Sequence, residues 1–471
     1  MSYLVEHKRY TVLAALVLLP IFAGCAHSRG PVALDEYVAK PDPNYSFTLV
    51  NTIKGEGVTT YVVDLTSQQW RSAEEVDKPI WKHWLVIAKP DVVKHDTALL
   101  FIGGGNNTRP APDKPDGRTS AIAAATGSIV ANLSTIPSEP LVFANDGRKR
   151  SEDEIIAYGW DKFLRGGDVD WIVRFAMTKG AVKAMDAIQS LMATEQGGKV
   201  AVKDFVVSGG SKRGLTTWTT GAVDKRVVSI MPCVIDLLNT KKSFDHHYKV
   251  YGFWAPAIGD YQEMHIMDWS YSPQYKKLMQ YEDPFQYRDR YKDMPRYMVN
   301  ASGDQFFIPD SWRFYFHQLP GEKHIRYVPN AEHSLGGTDV AESLTAFYAS
   351  ILNGTKRPEY TWDVSKNGSI HVKTVTKPMQ VNVWQASNPD ARDFRVDTIG
   401  KVWKSTALAE SSPGVYDASV PKPEKGFTAF FVEMVYDSGF GVPFKFTSGV
   451  SVVPDVYPHG AYKANKANIK N

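Results

Sequence analysis

The stretch Phe205-Val206-Val207-Ser208-Gly209-Gly210-Ser211-Lys212-Arg213-Gly214-Leu215 constrains this chain more than any other. An apolar run ends abruptly in glycines around one serine, and a helix-compatible segment follows at once. A sharp strand-to-helix turn of this kind lifts a serine Oγ clear of the backbone. It also aims the new helix's N-terminus at whatever that oxygen attacks. A Gly-Gly-Ser on its own is an ordinary flexible turn. Here the pattern is Gly209-x-Ser211-x-Arg213-Gly214, with arginine where a second small residue belongs. Strand and helix backbones cross closely at such a turn, so Gly209 and Gly214 supply the clearance and Arg213 is expected to turn outward.

Two later segments supply partners for Ser211. Asn300-Ala301-Ser302-Gly303-Asp304 follows one apolar run and Asn330-Ala331-Glu332-His333 follows the next. Asp304 alone reads as a turn aspartate and His333 alone as a surface histidine. Together they complete the order Ser211, Asp304, His333, which is that of the α/β-hydrolases. Asp310 and Asp339 are competing acids, and Glu332 is too near His333 in sequence to reach its ring easily. The strand Ala98-Leu99-Leu100-Phe101-Ile102 runs into Gly103-Gly104-Gly105-Asn106-Asn107. Polyglycine after a strand is often only a loop. Beside the other parts it suggests a backbone N–H of Gly104 or Gly105 as one oxyanion donor, with the Lys212 N–H as the second. The Lys212 side chain either adds a charge near the oxyanion or, as is commoner in that position, points away.

The N-terminus stands apart from the fold. His7-Lys8-Arg9 forms a basic region and Val12 to Phe22 an apolar stretch too short to span a bilayer comfortably. It ends in Ile21-Phe22-Ala23-Gly24-Cys25, which resembles the lipobox of bacterial lipoproteins, where the cysteine is acylated. Phe22 is unusual for that motif, so simple secretory cleavage is the alternative; either way the chain is expected to be exported, to the bacterial cell envelope. Lipidation of Cys25 leaves Cys233 without a disulfide partner. Cys233 lies in the apolar run Ser229 to Val234 and reads as a buried structural residue. No metal-ligand spacing is evident, no cofactor is implied, and His246-His247 reads as a polar surface pair. A net charge of +3 over 471 residues, with no basic stripe, does not point to nucleic acid.

The rest reads as strands first and then alternating strands and helices. Val58 to Leu65 and Trp84 to Ala88 open the sheet, Thr119 to Thr126 is a short helix, and Val182 to Met192 belongs to an amphipathic helix before the serine strand. About sixty residues separate the strand Val227 to Val234 from Arg296 to Val299, so the segment 236–294 is expected to cap the catalytic end. His324 to Val328 and Val340 to Leu352 close the unit as strand and helix. From about residue 356 short β-branched segments without helices indicate a β-sandwich. The expected plan is therefore a leader over 1–24, a linker over 25–44 and an α/β-hydrolase fold over 45–355. That fold is a mostly parallel sheet flanked by helices, with the cap inserted. A C-terminal all-β sandwich over 356–456 and a flexible tail over 457–471 complete the plan.

Four segments carry a more specific likeness: Ile155 to Trp160, Met177 to Asp186, Gly209 to Gly214, and Gly303-Asp304. Together they resemble the PhoPQ-activated pathogenicity-related protein family, over roughly residues 40 to 455. The resemblance implies an α/β-hydrolase fold with an added β-domain, and it implies that the Ser-Lys-Arg-Gly elbow is the family's own pattern. Glucuronoyl esterases also place a basic residue directly after their nucleophile, a local similarity. Two functions follow. One is an exported serine hydrolase acting on a small-molecule ester or a peptide, the peptidase option being of prolyl-oligopeptidase type. The other is a non-catalytic binding or signalling protein at the envelope.

Overall fold

The computed structural model describes residues 32–469; the leader and Cys25 lie outside them. Long β-branched runs at the start of this part pair as antiparallel strands: β1 (Ser46–Lys54), β2 (Val58–Gln69) and β3 (Ile80–Pro90). The chain then switches to parallel pairing through β4 (Thr97–Ile102) and β5 (Val130–Leu133). A minor hairpin, β6 (Leu141–Val142) with β7 (Lys149–Arg150), precedes β8 (Asp204–Gly210), β9 (Val227–Cys233), β10 (Arg296–Ala301) and β11 (Lys323–Val328). The nine-stranded sheet has the order β1-β2-β3-β5-β4-β8-β9-β10-β11. Its strands from β5 to β11 run parallel, so all their carboxyl ends lie on one edge. In such a sheet that edge is where a site forms.

Helices cover both faces, as a sheet buried on both sides requires. They are α1 (Ala33–Ala39), α2 (Gly117–Thr126), α3 (Asp153–Leu164), α4 (Val173–Met192) and α5 (Lys212–Val223). The segment 236–294 contributes α6 (Thr240–Tyr251), α7 (Gly259–Glu263) and α8 (Pro273–Glu282), joined by 3-10 turns, and α9 (Val340–Leu352) follows β11. Local chemistry sets the ends: the Asp116 side chain accepts the Thr119 N–H at 2.9 Å to start α2, and Gly127, at φ 64°, ends it. This is the α/β-hydrolase arrangement expected from the order of the segments.

Beyond it stand two small antiparallel sheets. One holds β12 (Tyr360–Val364), β13 (Ile370–Thr374) and β16 (Val415–Ala418). The other holds β14 (Gln380–Asn388), β15 (Lys404–Ala407), β17 (Phe427–Tyr436), β18 (Phe444–Thr447) and β19 (Ser451–Val453), with a short helix α10 (Val396–Ile399) between β14 and β15. This unit packs against β11, the last strand of the large sheet. Tyr327 donates its N–H to Thr447 Oγ1 at 3.1 Å, the Tyr297 hydroxyl donates to Lys445 O at 2.6 Å, and Phe446 stacks on His324. An otherwise open edge is thereby covered.

Two expectations need correction. The described part of the 25–44 segment is not a plain linker: Leu34 is fully buried and Asp35 pairs with Arg290 at 2.7 Å, because apolar residues at helical spacing dock α1 on the core. Residues 457–469 are not a loose tail either. The Tyr462 hydroxyl donates to Asp268 at 2.6 Å, the Tyr462 ring packs on Trp254, and the Asn465 N–H also reaches Asp268. Among the described residues no helix is long and apolar enough to cross a membrane.

The join between the two parts is tight at Gly449, where a Cβ would overlap the indole of Trp312, whose N–H donates to Val450 O at 2.8 Å. Gly449→Ala should therefore lower stability by about 1–3 kcal/mol through overpacking. A urea midpoint equal to that of the parent would contradict this account of the seam.

Candidate active site

The strand β8 is apolar on both faces, and its last residues meet the helix α5 with no intervening loop. Ser211 makes the turn, with φ 58° and ψ −129°, a conformation a non-glycine residue adopts only under surrounding constraint. Its N–H donates to Cys233 O at 2.9 Å. The clearance expected at the flanking glycines is real. A Cβ at Gly209 would lie 2.8 Å from Arg213 O, and one at Gly214 would lie 3.0 Å from Cys233 O. The parallel register pairs Ile102 with Gly209, so the glycine loop after β4 runs alongside the turn at Ser211.

Asp304 and His333 follow β10 and β11 on the same edge, and they meet. His333 Nδ1 is 2.9 Å from Asp304 Oδ2, while Asp304 Oδ1 accepts the N–H groups of Phe306 at 2.7 Å and Phe307 at 3.2 Å. The His333 N–H donates to Gln305 Oε1 at 3.0 Å, and the Phe306 ring lies against the imidazole, 4.4 Å between centroids. The acid is buried and the histidine partly open. The competing acids are committed elsewhere: Asp339 to Arg326 and Lys445, and Asp310 to His246, Arg392 and Arg313. Burial works against ionisation of Asp310, but those neighbours outweigh it and hold its carboxyl well below the usual range.

That network corrects the reading of His246-His247. Both are buried, His246 Nε2 lies 2.8 Å from Asp310, and His247 Nε2 accepts the Ala255 N–H. Burial pushes His247 down to about 3. Arg213 is corrected too, since it turns inward. Its guanidinium lies over Gly104, where a Cβ would sit 2.5 Å from Nη2, and it reaches Glu152 at 2.7 Å and Glu139 at 3.3 Å. The reason is electrostatic: two carboxylates that burial would otherwise penalise wait there. Burial and the charge on Glu152 push Glu139 up to about 7. Burial also opposes ionisation of Glu152, yet Arg213 and Lys212 hold it low. Lys212 Nζ completes the cluster at 2.5 Å from Glu152 and 2.9 Å from Asp153, so its charge is already paired. Cys233 is buried, and burial pushes its thiol up to about 12, which suits packing and not reactivity.

A cavity of about 40 Å³ adjoins Ser211. Phe244, Ile258, Tyr261 and Glu282 of the 236–294 segment close it from above, and Phe306 and Phe307 line its side toward His333. Four residues of that segment thus share the cavity with Ser211. Arg174 of α4 also lines it; its guanidinium reaches Lys212 O, Thr216 Oγ1 at 2.8 Å and Glu282 Oε1 at 3.0 Å. Arg174, Glu282 and Glu152 were not foreseen. No spacing marks them, because the contacts join residues far apart in the chain.

Asp236, just after β9, accepts the hydroxyls of Tyr315 at 2.6 Å and Tyr327 at 2.5 Å behind the site. Burial pushes its carboxyl from the ordinary 3.8 up to about 8, against those two hydrogen bonds. The folded chain then keeps a proton that the unfolded chain loses near pH 4. Asp236's contribution to stability is whole below that value and declines as pH rises from about 4 to about 8. Asp236→Asn should flatten this decline in denaturation series taken at pH 5 and pH 8. An unchanged slope would show that Asp236 does not titrate between those values.

With this geometry in place, the relatives can be set beside it. Autocrine proliferation repressor protein A of Dictyostelium discoideum is 38% identical over 459 residues, covering 91% of this chain and 92% of that protein. Among solved structures, acetyl xylan esterase 1 from Thermoanaerobacterium sp. JW/SL YS485 is similar with a TM-score of 0.45 and 15% identity, over 69% of this chain and 96% of that one. A glucuronoyl esterase from Solibacter usitatus is similar with a TM-score of 0.39 and 16% identity, over 68% of this chain and 88% of that one. The model of the PhoPQ-activated pathogenicity-related proteins matches residues 34–395, and this chain belongs to that family.

Proposed function

We propose that this protein is an exported serine hydrolase that cleaves an ester or peptide bond through an acyl-enzyme. The observation that carries the proposal is the 2.9 Å contact of His333 Nδ1 with Asp304, made on the sheet edge where Ser211 stands on its strained turn. Ser211 Oγ attacks the acyl carbon and gives its proton to His333 Nε2. Asp304 holds the imidazole with its proton on Nδ1 and stabilises the cation that forms. The oxyanion is received by backbone N–H groups, that of Lys212 at the start of α5 and that of Gly104 or Gly105, each contributing about 3 kcal/mol in the transition state. The imidazolium protonates the leaving group, and water then takes the same path in reverse to release the acid and restore Ser211.

Location follows from the leader. Cys25 is acylated and holds the enzyme to a membrane of the bacterial envelope, facing the periplasm. Cys25→Ser should move the protein from the membrane fraction to the soluble one. Recovery of the parent protein in soluble form, cleaved elsewhere than before Cys25, would remove the anchor from the proposal.

A fluorophosphonate should label Ser211, and Ser211→Ala should abolish labelling with the fold intact. Asp304→Asn keeps the oxygen that receives the Phe306 and Phe307 N–H groups, so stability should hold. Turnover should nevertheless fall by about 10³–10⁴-fold, because the wrong imidazole tautomer is favoured. Full labelling in the Ser211→Ala protein, or full turnover in Asp304→Asn, would refute the triad.

A further inference from the structure

In the proposed acyl transfer, the carbon attacked by Ser211 carries four substituents, and three of them already have places. One is Ser211 Oγ itself. The oxyanion turns to the Lys212 N–H at the start of α5, and the leaving oxygen turns to His333, which must protonate it. The acyl chain takes the direction that remains. The cavity beside Ser211 offers that direction, since it passes Lys212 and Leu215 of α5 and is roofed by Phe244 and Ile258.

The polar groups around this cavity are already paired with one another. Glu282 Oε1 takes two contacts from Arg174, at 3.0 and 2.9 Å, and the Trp160 indole N–H partners the same carboxyl. Asp153 receives the Tyr261 hydroxyl at 2.9 Å and the Lys212 ammonium at 2.9 Å, while Arg174 also binds Lys212 O and Thr216 Oγ1. What is left to meet a ligand is carbon: Leu215, Ile235, Leu237, Phe244 and Ile258, all buried. A polar substituent entering there gives up its water and gains no partner. The space is also small. About 40 Å³ holds roughly three water-sized groups, which is the room needed by one to three carbons beyond the carbonyl. A peptide cannot meet these limits. Its acyl residue carries a backbone amide beside the carbonyl, and that N–H would be buried unpaired.

We infer that the cavity is the acyl pocket of Ser211 and that it selects short, unsubstituted acyl groups, from acetyl to butyryl. The inference rests on the serine-hydrolase reading and names its substrate class as esters of small aliphatic acids, in preference to peptides. Attack by Ser211 Oγ forms the acyl-serine bond and breaks the bond to the alcohol, which leaves with the proton from His333. Water then releases the short acid and restores Ser211.

Phenyl esters of acetic, propionic, butyric, hexanoic and octanoic acid provide the test, each kcat/KM being divided by the ester's own alkaline hydrolysis rate. The best substrate should lie between acetate and butyrate, and hexanoate should fall below it by about a hundredfold, because its added carbons overfill the pocket. The phenyl ester of N-acetylglycine, with as many heavy atoms beyond the carbonyl as hexanoate, should be lower still. Ile258→Ala and Leu237→Ala each remove wall carbons, so in each the ratio of hexanoate to butyrate should rise by about tenfold. Fluorophosphonate labelling of Ser211 in each variant shows that it is folded. If the parent enzyme turns over hexanoate or N-acetylglycinate as well as butyrate, or if the chain-length limit survives both substitutions, the pocket is refuted while the hydrolase stands. If Ser211 takes no label and no ester is cleaved, the hydrolase reading and the pocket fall together.

Discussion

The site depends on the crossing of β8 and α5 at Ser211. A serine at φ 58° and ψ −129° costs about 1–3 kcal/mol and persists only where its surroundings leave no alternative. The glycines at 209 and 214 allow the two backbones to approach. Arg174 then fixes the result, binding the Lys212 carbonyl and Thr216 in the first turns of α5 and Glu282 at the end of α8. A buried arginine–carboxylate pair is a poor source of net stability, but losing one partner costs about 3–5 kcal/mol. Arg174 therefore ties the elbow to the cap: the helix that presents the candidate nucleophile and the helix that roofs its cavity hold the same guanidinium. Any movement of α8 is felt at the start of α5.

A second layer of charge lies under the glycine loop. Arg213 and Lys212 meet Glu139, Glu152 and Asp153 there, with Arg213 Nε also donating to Ile136 O. Glu152 adopts φ 54° and ψ −127°, nearly the backbone shape of Ser211 itself. Its two cations come from the elbow, so the start of α3 and the start of α5 are locked as a pair. Gly104 has a double reason to lack a side chain. It follows the strand beside β8, and the Arg213 guanidinium occupies the place where its Cβ would project. A lysine paired with two carboxylates is a poor extra charge for an oxyanion. The backbone N–H groups at the turn are better placed, since the helix dipole adds to them and no side-chain ordering is needed.

What the sequence could disclose follows from the range of each interaction. The elbow, the strand ends at Asp304 and His333, and the helix Val340–Leu352 were legible because each is written in consecutive residues or a fixed period. Arg213 misled because a lone arginine among small residues reads as solvent-facing. Its partners Glu139 and Glu152 lie more than sixty residues away and carry no spacing signal. His246 misled for the same reason: Asp310, which makes its burial tolerable, lies 64 residues further along, and Arg392, which shares Asp310, lies 82 residues beyond that. The last thirteen described residues looked polar and loose, yet Asp268 gathers Tyr462, Asn465 and Asn468. Long-range polar pairing, far more than apolar packing, is what periodicity fails to report.

The C-terminal sheets bear on the chemistry through one short segment. Val396, at the start of α10, donates its N–H to Gly303 O at 3.0 Å, and its side chain occupies the space a Cβ at Gly303 would need. Gly303 directly precedes Asp304. Nearby, Arg392 binds Asp310 at 2.6 Å and Asp455 at 3.1 Å, while Asn330, three residues before His333, donates to Trp403 O at 3.0 Å. The loops bearing the acid and the histidine are thus each fastened to the β-unit, whereas Ser211 is fastened to the cap through Arg174. The loops on which Asp304 meets His333 are held by the same third body. The β-unit is therefore part of the scaffold of the candidate site, and its contribution lies in the position of the two loops.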